Sequence, residues 1–150
     1  MRHARGFTLV ELLVVFAILA LLLGLAPLAF DRLREGAQYR DTVRSMANQL
    51  RSARYQAQTE GREVLFGVDL DRRTYGLGNV DGWRALPPTL HLRAVVADSE
   101  RQSTGVAVIR FLSSGGATGG SIEVVRSSGA GTRLRVDWLS GRVTQEGVLP

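Results

Sequence analysis

The chain contains no cysteine, so disulfide frameworks, cysteine-based zinc sites and thiol nucleophiles are excluded together. It also contains no lysine: all 19 basic residues are arginine, and the high isoelectric point overstates the charge at neutral pH. From Asp31 onward 17 arginines stand against 13 acids, 17 − 13 = +4, with the two signs interspersed as on an ordinary solvated surface. Only two histidines occur, His3 and His91, too few for a histidine metal site without cysteines. There is no G-x-S-x-G elbow and no P-loop, and "GLGNVDG" departs from G-x-G-x-x-G by placing Asp81 at the third glycine and reads as a turn. Asp69 and Asp71 share a strand face beside a turn, a pattern that solvates a hairpin more often than it holds a cation. No catalytic residue, metal site or cofactor is expected.

What the chain does have is one long apolar run. Residues 12–30 are 19 consecutive uncharged positions, close to the roughly 20 that span a bilayer as a helix. The run is apolar on every face, which a domain of about 90 to 100 remaining residues could not enclose. Arg2, His3 and Arg5 precede it, and short basic flanks stay cytoplasmic, sending the C-terminal part across. A secretory signal would end in a small-residue cleavage site after its apolar region. Here the small residue, Gly6, comes before the run, and a carboxylate, Glu11, sits near its start. An ionised side chain in hydrocarbon costs at least about 2.5 to 3.5 kcal/mol, and no basic residue in the next helical turns can pair with Glu11, so its partner comes from elsewhere.

Beyond residue 30 the apolar positions Leu33, Ala37, Val43, Met46, Ala47, Leu50, Ala53 and Ala57 recur at three and four, a narrow helical stripe that stops at Glu60-Gly61. A continuous helix over residues 7–60 would measure about 80 Å at 1.5 Å per residue. From Glu63 the period becomes two. Val64, Phe66, Val68 and Leu70 form one face, and Leu90, Leu92, Ala94 and Val96 a second. "GVAVIRFL" offers either Ile109 and Phe111 or Val106 and Val108. Runs at 121–126 and 132–138, the latter facing Leu134, Val136 and Trp138 inward, precede a short last run at 142–145. Glycine-rich "SSGGATGG" and "SSGAGT" suit hairpin tips. One helix followed by antiparallel strands predicts an α+β fold with a sheet laid on the C-terminal half of the helix.

The segment "RGFTLVELLVVFAIL" resembles the class III signal of type IV prepilins and type II secretion pseudopilins. The resemblance implies cleavage after Gly6 by a prepilin peptidase, N-methylation of the new terminal Phe7, and a Glu four residues on, at Glu11, that meets the terminal amine of a neighbouring subunit. A misplaced subunit would leave a buried charge unpaired, at about 3–5 kcal/mol, so Glu11 specifies register. Further on, "LRSARYQAQTEGREVLFGVD", "IRFLSSGGATGGSIEVV" and "RLRVDWLSGRV" look like the H-type pseudopilin and FimT subgroup, with an Ala-Arg pair on the helix, a Phe-x-x-x-Gly segment and a Gly-Arg-Val ending. Residues 79–102 carry none of the resemblance.

That family implies a type IV pilin-like fold. It divides the chain into a leader at 1–6, a transmembrane and assembly helix at 7–30, a periplasmic half-helix at 31–61 and a β-sheet domain at 62–150. The expected protein is a single-pass subunit of the bacterial inner membrane, N-terminus cytoplasmic and C-terminal domain periplasmic. Its expected partners are other pseudopilins, the prepilin peptidase and methyltransferase, and the membrane. The implied function is that of a minor pseudopilin near the tip of a type II secretion pseudopilus. The alternative is a minor type IV pilin of the FimT kind, in assembly or DNA uptake, with Arg133, Arg135 and Arg142 as candidate phosphate contacts. DNA-binding members share Gly-Arg-x-Arg; here Gly141-Arg142-Val143-Thr144 lacks the second arginine, and the secretion reading is preferred.

Overall fold

The computed structural model describes residues 7–78, 82–97, 101–102 and 105–150, with the backbone alone for 25–33 and 101–102. Helix α1 spans Leu9–Glu60, and the chain divides into two compact units, Met1–Ala37 and Gln38–Pro150. In the first unit the described apolar side chains, from Phe7 to Leu23, are exposed around the whole circumference of the helix. Among the described residues no helix is long and apolar enough to cross a membrane. The described side chains of this unit's apolar run end at Gly24, whereas the uncharged run in the sequence continues to Phe30.

In the second unit the helical stripe is buried as its spacing requires. Val43, Met46, Ala47, Leu50, Ala53 and Ala57 all lie in the core. Ala37 is half-buried, and the side chain of Leu33 lies outside the described residues. Gly61 adopts φ 64°, the left-handed conformation that closes a helix C-terminus without a Cβ penalty.

Nine strands follow among the described residues: β1 (Val64–Asp69), β2 (Thr74–Leu77), β3 (Arg84–Ala85), β4 (Leu90–Val95), β5 (Arg101–Gln102), β6 (Val106–Phe111), β7 (Gly120–Arg126), β8 (Gly131–Val136) and β9 (Val143–Val148). The expected single sheet is two. One is ordered β3-β2-β1-β6-β5 and the other β4-β7-β8-β9, with every described pairing antiparallel. Phe66, Val68, Ile109 and Phe111 from the first sheet share one core with Leu90, Ile122, Val124 and Leu134 from the second and with the helix stripe.

Several side chains fall elsewhere than their alternation suggested. Leu70 is exposed because β1 ends at Asp69, whose Oδ1 accepts the Arg72 N–H at 2.7 Å and turns the chain. Trp138 lies beyond the end of β8 and is 67% exposed. Ile109 and Phe111 take the core side of β6, and Val108 is buried on the opposite face. The last strand is longer than expected, Val143–Val148.

Two contacts fix the sheet ends. The Arg73 guanidinium donates through Nη2 to the carbonyls of Pro87 at 3.3 Å, Pro88 at 3.2 Å and Leu90 at 2.6 Å, joining the start of β2 to the start of β4. Gly67 and Gly76 are cross-strand partners in β1 and β2, and the Trp83 indole occupies the space that a side chain on either would fill. The ring thus covers backbone that two glycines leave bare.

Candidate functional site

Two places could carry the function expected of the chain: the start of α1 and the outer face of the second sheet. At the helix start, Thr8 donates to Glu11 Oε2 twice, from its backbone N–H and from its hydroxyl, both at 3.0 Å. The Glu11 N–H donates back to Thr8 Oγ1 at 3.2 Å. This is a reciprocal capping box, in which a side chain at each end satisfies backbone N–H groups that the first turn leaves without partners. A carboxylate here also faces the positive end of the helix dipole. Within a single chain, therefore, Glu11 already has donors on Thr8 through one of its two oxygens. The Thr-x-x-Glu spacing at positions 8–11 is the sequence signal of this cap, overshadowed there by the apolar run that surrounds it. Phe7, directly before the cap, is 84% exposed. Gly6 lies outside the described residues.

The structure gives the candidate phosphate contacts different surroundings. Leu134 and Val136 face the core, so Arg133 and Arg135 occupy the outer face of β8. Strand register aligns Arg93, Glu123, Arg133 and Glu146 in one row across β4, β7, β8 and β9, charges of alternating sign. Arg133 donates to Glu123 Oε1 through Nε at 2.9 Å and Nη2 at 2.7 Å, with Glu146 at 3.9 Å. Its charge is already answered. Arg135 and Arg142 line one shallow hollow with Asp137 and Glu146, two cations with two carboxylates, a balance that favours no polyanion.

The turn between β8 and β9 is unusually constrained. Asp137 Oδ1 accepts from the Ser140 N–H at 2.8 Å and from the Ser140 hydroxyl at 2.7 Å. These bonds, the hydroxyl's first, hold the Asp137 carboxyl below its ordinary value. The Gly141 N–H reaches the Asp137 carbonyl at 2.8 Å, and the Ala117 N–H reaches the Trp138 carbonyl at 2.9 Å. From the helix, Arg54 Nε donates to the Gly115 carbonyl at 3.4 Å, and its side chain packs where a Cβ on Gly141 would stand. Ala53, at 0% exposure, is the position beside it that lets the sheet close on the helix. The Ala-Arg pair, the Phe-x-x-x-Gly segment and the Gly-Arg-Val ending therefore meet at one place: Ala53-Arg54, Phe111 to Gly115, and Gly141. Their resemblance value was legible in sequence, but their mutual contact depends on long-range packing.

Among the described residues no group of three or more histidine, cysteine or acidic residues is placed to hold a metal ion.

Comparison with known proteins gives a consistent picture. The family model for the type II transport protein GspH matches residues 42–141, and that for the prokaryotic N-terminal methylation motif matches residues 1–27. A type II secretion system protein H of Xanthomonas campestris is 32% identical over 143 residues, covering 95% of this chain and 83% of its own. Among solved structures, the minor pseudopilin EpsH from the type 2 secretion system of Vibrio cholerae aligns with a TM-score of 0.56 at 15% identity, over 73% of this chain and 96% of its own. The type IV minor pilin FimU of Pseudomonas aeruginosa aligns with a TM-score of 0.54 at 15% identity, over 76% and 92%. At these identities the two structures speak for the type IV pilin-like fold alone.

Proposed function

The chain belongs to the GspH family of type II transport proteins, and from that premise we propose that it is a minor pseudopilin, a structural subunit of the type II secretion pseudopilus. The observation that carries this reading is the GspH match over residues 42–141 joined in one chain to the methylation motif at residues 1–27. The fold does not choose between secretion pseudopilus and type IV pilus, since EpsH and FimU align about equally. The family model and the Xanthomonas relative do choose. The pairing of Arg133 with Glu123 counts against it as a DNA contact.

In this reading the peptidase cuts after Gly6, the new amine at Phe7 is methylated, and residues 7–30 anchor the subunit in the inner membrane. Residues 1–6 face the cytoplasm and residues 62–150 the periplasm. Support comes from the uncharged run at 12–30, the basic residues before it, and exposed apolar side chains that need lipid or neighbouring helices as cover. Glu11 then has two successive partners. Thr8 holds it in the isolated chain through Oε2, and Oε1 receives the terminal amine of a neighbour on assembly. The cap keeps the carboxylate hydrogen-bonded while the subunit waits, and the amine supplies the countercharge that fixes register.

The test is processing and assembly of point variants in cells that secrete through this system. Gly6→Ala is expected to leave an uncleaved, membrane-held precursor on an immunoblot and to abolish incorporation. Normal processing of that variant would overturn the cleavage assignment.

A further inference from the structure

Resting on the membrane-anchored reading above, we infer that the tip of the hairpin between β7 and β8 and the residues after β9 rest on the lipid surface, with Leu149 set into the headgroup layer of the membrane that holds residues 7–30. Leu149 is 87% exposed. A single exposed leucine needs no explanation by itself, but the surroundings of this one share its character. Strand register gathers the start of β4, the end of β7, the start of β8 and the end of β9 at one end of the second sheet. Residues 87–90, 127–132 and 147–150, which make up that end, contain no charged side chain. Arg126, the last residue of β7, adds a cation whose Nε is buried without a hydrogen-bond partner. A layer of lipid phosphates disfavours carboxylates and accepts apolar side chains flanked by cations.

Contacts within the second unit fix the direction in which this end points. At the start of β8 the Tyr39 hydroxyl and Thr132 Oγ1 are hydrogen-bonded at 2.7 Å, and the Arg126 guanidinium lies 4.6 Å over the Tyr39 ring. Past the other end of β8, Gly141 packs against Arg54. The strand therefore follows the helix from residue 39 toward residue 54, and the tip before it projects to the N-terminal side of Tyr39, where the chain enters the unit at Gln38. From Phe30, the last of the uncharged run, to Tyr39 is 39 − 30 = 9 residues, at most about 14 Å of helix. The tip reaches back from Thr132 to Gly129, about 10 Å at strand spacing. The difference, about 4 Å, falls inside a headgroup layer about 5–7 Å thick on each side of the hydrocarbon. Two backbone bonds close the tip, Arg126 N–H to the Ala130 carbonyl and Gly129 N–H to the Arg126 carbonyl, both 2.9 Å. Pro150 lies against Gly129, so Leu149 is carried with the hairpin.

Because the chain has no cysteine, single cysteines report on single places. The experiment uses the full chain in vesicles of phosphatidylethanolamine and phosphatidylglycerol, too dilute for two copies to share a vesicle. Ser128→Cys, Leu149→Cys, Leu139→Cys beyond the opposite end of β8, and Leu19→Cys in the apolar run each carry a nitrobenzoxadiazole label, and nitroxide lipids act as quenchers. A headgroup nitroxide is expected to quench the labels at 128 and 149 about fivefold more than the label at 139, and a nitroxide deep in the acyl chain to quench the label at 19. Leu149→Asp in the Ser128→Cys chain should cut the headgroup quenching about threefold, since a carboxylate is expelled from the phosphate layer. Equal quenching at 128, 149 and 139, or a signal at 128 indifferent to Leu149→Asp, would overturn the inference while quenching at 19 leaves the anchor reading standing. Shielding of 128 and 149 that arises only when other pseudopilins are added would assign this end to a protein neighbour and overturn the inference too. Loss of quenching at 19 would overturn both.

Discussion

Glu11 illustrates how one side chain can serve two states. Its bonds to Thr8 answer the folding requirement of the helix start, and on the proposed reading its charge answers the register requirement of the fibre, so substitutions can separate the two. Glu11→Gln preserves capping chemistry and removes the charge. We expect normal insertion, cleavage and hydrogen exchange at residues 9–12, but loss of copurification with partner subunits. Parental copurification of Glu11→Gln would reduce the residue to a cap. Thr8→Ala is expected to do the reverse, costing about 1 kcal/mol at the helix start and accelerating exchange there while some partner binding persists. Asp137 offers a pH test. Its folded-state value lies below the ordinary 3.8, so its contribution to the turn is fully present above 3.8 and is lost as pH falls through the lower folded value. The Ser140 amide resonance should shift only below pH 3.8, and Ser140→Ala should move the Asp137 titration back toward that value. The cap was readable as Thr-x-x-Glu. The Asp137 turn was hidden because alternation extended β8 through Trp138, whereas the chain leaves the sheet after Val136.

At the scale of elements, the helix is the part that sequence periodicity described best. Its stripe from Val43 to Ala57 is buried as spaced, and the Gly61 stop is where it was expected. Leu50, fully buried, is the direct check: Leu50→Ala should destabilise the domain by about 2–5 kcal/mol in urea unfolding, whereas Tyr55→Ala, on the exposed side, should stay within about 0.5 kcal/mol. Pairing of the strands was not legible. β1 bonds to β6 across a separation of about forty residues, and no local pattern encodes that partnership. Two-residue strands such as β3 carry no period at all, and in β2 the alternation is masked because Gly76 takes the position covered by Trp83. Gly67→Ala should therefore displace Trp83 and cost about 1–3 kcal/mol, measured as a lower urea midpoint and altered tryptophan emission. An unchanged midpoint would show that the indole does not need bare backbone beneath it.

For the molecule as a whole, composition excluded thiol chemistry and cysteine-based zinc sites, and the signal at residues 6–11 with the motifs of the helix and sheet pointed to the family that the comparisons show. Which arginines remain available could be read only from the sheet register that pairs Arg133 with Glu123. On the proposed reading the exposed apolar helix start is the part that needs neighbours, while the second unit holds its own core. On the same proposed reading, assembly depends on a new amine being made beside Glu11. The most direct measurement is the mass of the N-terminal peptide of this chain recovered from assembled pseudopili. A peptide beginning at Phe7 and carrying one added methyl group is expected. Recovery of the chain from working fibres with residues 1–6 still attached would contradict the account.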